Sequence, residues 1–425
     1  MSLEPSIYYL SIGREIKIEK ERDQVYQKLR FLGLKDYREI EVEYQNGRKV
    51  YLALSPNSFI ELDNKRILYL DCYPTRLLEY FHKTLSLISI EAFLKTLNDL
   101  GGFFSGFIVD EERVLFFRDH VGSIPIVFKI EDGSIASAPF SRILEGGEHI
   151  PPGRIVEWKN SSLKIYKWYS RKRSSGDYIG ELSDRLHQSV SNNILEDSTI
   201  AFSGGLDSLL LTYIALKIEK KFTCITVGTS DAVDLEWAEE AASTLGLDLR
   251  KIILSNDLVK EVVGFLSPRL PRKTIMDLSL ASIFYIVASN SVREVVISGQ
   301  GADELFGGYY KYFEMAYQKG LKYVEGRMLR DLLMLHKTNI ERDYSACSLV
   351  GKRFVMPYLD RSVYDLAISI PVEVKLVGED RVIRKLILKK VAKLLGIPEK
   401  LVERPKKAAQ YSSNIQKSIK KVVGV

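Results

Sequence analysis

Ser203 to Ser208 read SGGLDS, between a β-branched, apolar run (TIAF) and a helix-forming one (LLLTYIAL). That order describes a strand, a tight turn and the first turn of a helix. Gly204 and Gly205 let the backbone approach an anion without Cβ interference. The amides that open the helix, from Leu206 onward, aim the positive end of its dipole at the same point. Ser203 and Ser208 add hydroxyl donors, while Asp207 adds the opposite charge. A carboxylate inside a phosphate cradle is reconciled by a Mg²⁺ ion between it and a pyrophosphate group. No GxxxxGK followed by Ser or Thr is present, so this is not a Walker loop. The alternative is an ordinary glycine turn ahead of a helix.

A second segment of the same make-up lies at Glu294–Tyr310, EVVISGQGADELFGGYY, where an apolar strand gives way to glycines and the carboxylates Asp303 and Glu304. Helix capping by an exposed carboxylate is the alternative for Asp207 and Asp303, and it is the favoured reading for Asp234, which precedes a helix.

The elements that must position these residues follow from periodicity. After a polar Ser/Gly stretch at Arg171–Tyr178, strands at Ile200–Phe202, Thr223–Val227, Leu249–Leu254 and Val295–Ser298 alternate with helices at Leu206–Lys220, Leu235–Leu245 and Met276–Ser289. The alternation predicts an α/β domain built on a doubly wound parallel sheet, with ligand loops at the strand carboxyl ends. Both glycine segments follow such ends and can share one crevice. The part after about Tyr309 is mostly helical. Before the Ser/Gly stretch, short alternating runs are separated by turns such as Asp132-Gly133 and Pro151-Pro152-Gly153, which predicts a β-rich domain of stacked antiparallel sheets. Two domains result, 1–172 and 176–425.

The pair SGGLDS and SGxGxDExFGGY resembles the synthetase domain of class B asparagine synthetases and their relatives, the β-lactam and carbapenam synthetases. The resemblance covers nearly the whole chain from about Leu100. It implies an adenine nucleotide α hydrolase-like (ATP pyrophosphatase) fold using ATP and Mg²⁺, in which a substrate carboxylate attacks the α-phosphorus and an amine then displaces AMP. It also implies that Ser203, Gly204, Gly205, Leu206, Asp207 and Ser208 hold the triphosphate, and that Asp207 and Asp303 hold Mg²⁺-pyrophosphate. Val227, Ser298 and Gly299 would lie against the adenine. Lys406, in ERPKKAAQY, aligns with the catalytic lysine of the family's R-x-K element, with Lys407 as adjacent competitor. PYLD at Pro357–Asp360 matches the PFLD box, although Arg353 and Val355 stand where Glu and Arg are expected. Gln300 replaces a glutamate or tyrosine, and a carboxamide cannot take a proton from an attacking amine near neutral pH.

Leu100–Lys129 resembles the glutaminase domain of the same family, an N-terminal nucleophile hydrolase-like four-layer sandwich, including its RDxxGxxP box at Arg118–Pro125. Such a domain needs cysteine as its first residue after methionine removal. Here Ser2 follows Met1, and the asparagine-glycine-glutamate box that grips glutamine is missing. The resemblance therefore implies a degenerate glutaminase domain.

The balance of the chain excludes other classes. Its 425 residues are 46% hydrophobic and 27% charged, the composition of a globular protein. A formal charge of +6 is mild, with 61 Lys and Arg against 55 acids, and no basic face argues for nucleic acid. Cys72, Cys224 and Cys347 form no metal or redox spacing, no apolar run is long enough for a membrane span, and no signal-peptide core opens the chain. A cytoplasmic setting is expected. The expected activity is an ATP-dependent amide-forming ligase that activates a small-molecule carboxylate, aspartate first, and takes ammonia or an amine from outside its own first domain. A homodimer or a separate glutaminase partner fits that expectation. The alternatives are a β-lactam-synthetase-like ligase on another substrate and a nucleotide-binding protein with decayed catalysis.

Overall fold

The computed structural model describes residues 5–424 except 15, 17, 33, 35, 64–65, 85–88, 171–175, 196–197, 379–380 and 405–407. The chain forms two compact units. One comprises Met1–Ser170, Arg269–Pro271 and His336–Gly351, and the other Arg171–Pro268, Arg272–Leu335 and Lys352–Val425. The two short later segments thus belong to the first unit, although they lie far beyond Arg171 in sequence.

The first unit is built from two six-stranded sheets whose hydrogen-bonded neighbours all run antiparallel. Its strands are β1 (Tyr8–Gly13), β2 (Arg38–Glu43), β3 (Lys49–Leu54), β4 (Phe59–Asp63), β5 (Arg66–Tyr73) and β6 (Phe103–Val109). They continue with β7 (Arg113–Arg118), β8 (Val127–Glu131), β9 (Ser134–Ala138), β10 (Glu148–His149), β11 (Arg154–Lys159) and β12 (Ser162–Lys167). One sheet has the order β10-β8-β9-β1-β3-β2 and the other β12-β11-β7-β6-β5-β4. Inward side chains of the two sheets interleave in one core, Leu10, Leu52 and Ile135 from one and Tyr69, Phe107 and Phe116 from the other. Tyr69 stacks on Phe107 with ring centroids 4.8 Å apart. Each such side chain contributes about 1.5–3 kcal/mol by leaving water. Helices α1 (Ile18–Phe31), α2 (Leu77–Thr84) and α3 (Ile90–Asp99) complete the unit, and α2 and α3 cover the outer face of the second sheet through Leu77, Phe81, Phe93 and Leu97. Both faces of β5 are therefore buried, which is why RILYLDCY reads as a continuous apolar run and shows no alternation.

The RDxxGxxP box folds as a closed hydrogen-bonded corner in this unit. Asp119 accepts from the backbone amides of Phe104 (3.1 Å), Val121 (3.0 Å), Gly122 (2.7 Å) and Ser123 (3.2 Å), and from the Ser123 hydroxyl. Arg118, wholly buried, donates to the carbonyls of Ile124, Ile150 and Gly122. Burial pulls the Arg118 guanidinium down to about 10, while Asp119 and Glu341 oppose that shift. Asp119→Ala strands several buried amides at once and removes a charge that favours the Arg118 guanidinium. It is expected to cost about 3–5 kcal/mol, read as a fall in the denaturant midpoint. A midpoint close to that of the unaltered protein would show that the corner does not hold this unit together.

The second unit carries one parallel sheet of order β15-β14-β13-β16-β17, namely Leu249–Ile253, Phe222–Gly228, Ser198–Ala201, Val295–Ile297 and Arg353–Val355. Helices α4 (Tyr178–Asn193), α5 (Leu206–Lys217), α6 (Val233–Leu245), α7 (Asn256–Leu266), α8 (Ile275–Ser289) and α9 (Ala302–Phe306) lie between and beside its strands. Asp177 caps α4 by accepting from the amides of Ile179 and Gly180. The strand order reverses between β13 and β16, so the crevice expected to take a ligand opens where both glycine segments leave the sheet. Among the described residues, all three cysteines are free and buried, and no helix is long and apolar enough to cross a membrane.

Candidate active site

The SGGLDS turn connects β13 to α5, and the SGQGADE turn connects the adjacent β16 to α9. In the first turn the Gly205 amide donates to Ser203 Oγ (3.3 Å) and the Ser208 hydroxyl donates to the Gly205 carbonyl (3.2 Å). The hydroxyls of Ser203 and Ser208 are 3.4 Å apart, so both face the same small loop. Two glycines let the segments meet. A methyl at Gly299 would lie 2.9 Å from Asp207 Cβ, and one at Gly308 would collide with Asp303 and Lys385. Val227 closes the set from the carboxyl end of β14, beside β13, and Ser298 accepts the Gln300 amide on its hydroxyl at 3.2 Å.

Asp207 and Asp303 do not cap their helices. The capping positions are Gly205 and Gly301, which have no side chain, and each aspartate is the second residue of its helix. Both carboxylates instead converge on one ammonium, that of Lys385, which contacts Asp303 at 2.5 Å and also pairs with both oxygens of Asp207. The Lys385 side chain is only 4% exposed. Its backbone has φ 55°, a left-handed conformation that costs a non-glycine residue roughly 1–2 kcal/mol. Strain of this kind, held by a buried ion triad, marks a site where position matters more than stability.

Sequence reasoning missed Lys385. It opens the helix Leu386–Leu394 in a stretch with Lys389, Lys390 and Lys393, where one lysine looks like the next. Its left-handed backbone at a helix start carries no glycine to announce it. Lys406 and Lys407 lie outside the described residues. Asp234, read as a cap, is a buried residue in the first turn of α6, whose capping position is Ala232, so burial overrides the capping expectation.

Glu304, next to Asp303, turns away into the protein and accepts the Tyr309 hydroxyl at 2.6 Å. Burial, and then the charge of Asp303, push its carboxyl up to about 7. Tyr358 of the PYLD box is wholly buried, and its hydroxyl donates to the Asp207 carbonyl at 3.0 Å. Burial, with Asp207 and Asp303 nearby, raises that phenol well above its ordinary value, so it remains a donor. Asp360 of the same box accepts from Asn193 on α4 (2.9 Å) and caps the helix Arg361–Ser369. The PYLD box thus braces the α5 turn from behind. Gln300 differs from all of these. Both polar atoms of its side chain are buried without a hydrogen-bond partner among the described residues.

A single small cation can bridge Asp207 and Asp303, since one ammonium already does. Mg²⁺ is characteristically held by one or two carboxylates together with substrate phosphates. The donor set therefore fits that ion. Among the described residues no group of three or more His, Cys, Asp or Glu side chains forms an all-protein cage.

In the first unit, buried polar contacts also tie the segment His336–Gly351 to the sheets. Glu341 accepts the Ser141 amide at 2.7 Å and pairs with His149 at 3.3 Å, and Tyr344 donates to Asp71 at 3.3 Å. Burial alone would raise the Glu341 carboxyl, but His149 and Ser141 outweigh it and hold it below its usual range.

Two glycine loops thus meet at the switch point of a parallel α/β sheet, with an acid pair across one lysine. The model of the asparagine synthase family matches residues 181–325 and 314–423, and the chain belongs to that family. It is similar to "Putative asparagine synthetase 1", glutamine-hydrolysing, of Methanocaldococcus jannaschii, with 32% identity over 288 residues, 60% of this chain and 53% of that one. It is also similar to glutamine-hydrolysing asparagine synthetase B of Escherichia coli K12, with 25% identity over 320 residues, 67% of this chain and 56% of that one. The chain thus spans little more than half the length of these relatives. Among solved structures, NMN synthetase from Francisella tularensis aligns at 16% identity with a TM-score of 0.31, over 60% of this chain and 87% of that one, a likeness too slight to bear on function.

Proposed function

We propose that the protein is an ATP-dependent amide-forming ligase that activates a carboxylate, aspartate first among candidates, as an acyl-adenylate and releases pyrophosphate and AMP. The observation that carries this reading is the convergence of Asp207 and Asp303 on buried Lys385, at the mouth of two glycine loops on adjacent parallel strands. The loop amides and the Ser203 and Ser208 hydroxyls would grip phosphate oxygens. Asp207 and Asp303 would hold Mg²⁺, which when bound supplies charge neutralisation for the leaving pyrophosphate. Lys385 would then swing from the carboxylates to the phosphates and neutralise charge that grows as the α-phosphorus is attacked. Lys406, matched to the family's catalytic lysine, would neutralise charge building on the phosphate and the tetrahedral intermediate. The backbone of Val227, Ser298 and Gly299 would line the adenine.

The first unit is proposed to be a degenerate glutaminase-like domain that no longer supplies nitrogen, with ammonia or an amine arriving from outside the chain. Its RDxxGxxP corner is explained by the hydrogen bonds that Asp119 and Arg118 collect, so the box can persist without hydrolytic chemistry. The test is pyrophosphate release from ATP and Mg²⁺ over a panel of carboxylic acids, with ammonium, glutamine or neither. Acid-dependent release is expected, with no glutamate formed from glutamine by protein bearing its native N-terminus. Robust ATP-stimulated glutamine hydrolysis would overturn the reading of the first unit. Failure of every acid would overturn the ligase.

A further inference from the structure

The buried carboxamide of Gln300 demands a ligand. Leaving a buried donor or acceptor unmatched costs about 1–3 kcal/mol, and among the described residues Gln300 carries both kinds unmatched, Nε2 and Oε1. The other polar groups on its loop are engaged: the Gln300 amide on Ser298, Asp303 on Lys385, Glu304 on Tyr309. On the facing loop Asp207 is held by Lys385 as well. A molecule that satisfies Gln300 must offer a donor to Oε1 and an acceptor to Nε2 side by side. A nitrogen nucleophile next to an acyl carbonyl does this, its N–H to Oε1 and the carbonyl oxygen to Nε2. Oε1 orients such a nitrogen but cannot remove a proton from it, and the carboxylates of both loops are already committed to other partners.

We infer that the nitrogen donor is a weakly basic amine, neutral before it arrives, and that Gln300 selects this class by hydrogen bonding without acting as a base. The inference rests on the ligase reading above. In the step itself, the lone pair of the neutral nitrogen forms the C–N bond at the acyl carbon. The bond from that carbon to the phosphate oxygen breaks, AMP departs with its electron pair, and the surplus proton of the nitrogen passes to the departing phosphate or to water. A protonated amine offers N–H groups to Oε1 but has no lone pair to attack with. Amines that titrate below about 8 are therefore favoured at neutral pH over alkylamines that titrate near 10.4.

Amide formation would be measured at pH 7 with MgATP and the acid that supports pyrophosphate release, using methoxyamine, glycinamide, ammonium and methylamine at equal total concentration. Methoxyamine and glycinamide are expected to exceed methylamine by at least about tenfold. The ammonium rate should climb about tenfold per pH unit from roughly pH 7 to 9, tracking free ammonia, while the methoxyamine rate stays level. Gln300→Glu should narrow the gap by raising the ammonium and methylamine rates more than the methoxyamine rate. Ammonium that matches methoxyamine at pH 7 with no pH dependence would overturn the inference and leave the ligase standing. Absence of pyrophosphate release with any acid, amine or none, would overturn both.

Discussion

Lys385→Met is expected to lower acid-dependent pyrophosphate release by roughly 10²–10³-fold, the scale of losing one preorganised charge-stabilising donor. Methionine keeps the length and apolar stem of the side chain and removes only the charge. Without the ammonium, Asp207 and Asp303 face one another with no cation, so the variant should also be less stable in the absence of Mg²⁺. Mg²⁺ should then raise its unfolding midpoint by more than it raises that of the unaltered protein, because the ion takes over a place the ammonium held. Lys385→Arg should rescue little, since a planar guanidinium does not fit a pocket shaped for a compact point charge. Turnover within about threefold of the unaltered protein would remove Lys385 from the reaction.

Asp207→Asn and Asp303→Asn should each reduce Mg²⁺-dependent pyrophosphate release by roughly 10²-fold or more while the fold survives, because neither carboxylate caps its helix. The amide is isosteric but carries no charge for the ion. Part of the loss should be recovered at high Mg²⁺, which separates a metal contact from a structural one. Combining Asp207→Asn with Lys385→Met should cost less than the sum of the two, as for groups that act as a unit. Strict additivity would mean that the ion triad is incidental to catalysis.

Much of this site could be read from the sequence, and the exceptions have physical causes. The two glycine turns were legible because glycine is the residue that lets a helix start approach an anion. The strands β13, β14 and β16 were legible as largely buried, apolar and β-branched runs, and the edge strand β15, with Arg250 and Lys251 exposed, through its place in the alternation of strands and helices. β17 was not, since Arg353–Val355 is three residues long and begins with arginine. In the first unit β6 to β9, β11 and β12 show as runs between turns, whereas β1, β3 and β5 are buried on both faces and show no alternation, although Asn46-Gly47 marks the β2–β3 turn. Lys385 was invisible because its partners lie far away in the chain, Asp207 and Asp303, and only the folded backbone gives it meaning. The same holds for His336–Gly351, whose membership of the first unit depends on Asp71, Ser141 and His149. The RDxxGxxP box was legible as a motif, but its role as a hydrogen-bonded corner needed coordinates.

The central claim is that a carboxylate attacks the α-phosphorus of ATP in the Asp207–Asp303–Lys385 crevice. Carboxylate oxygens labelled with ¹⁸O test it directly. Attack at the α-phosphorus followed by amine displacement leaves one labelled oxygen on AMP, with unlabelled pyrophosphate, and this is the result expected. Label in inorganic phosphate with ADP as co-product, or no label in any phosphate, would contradict it.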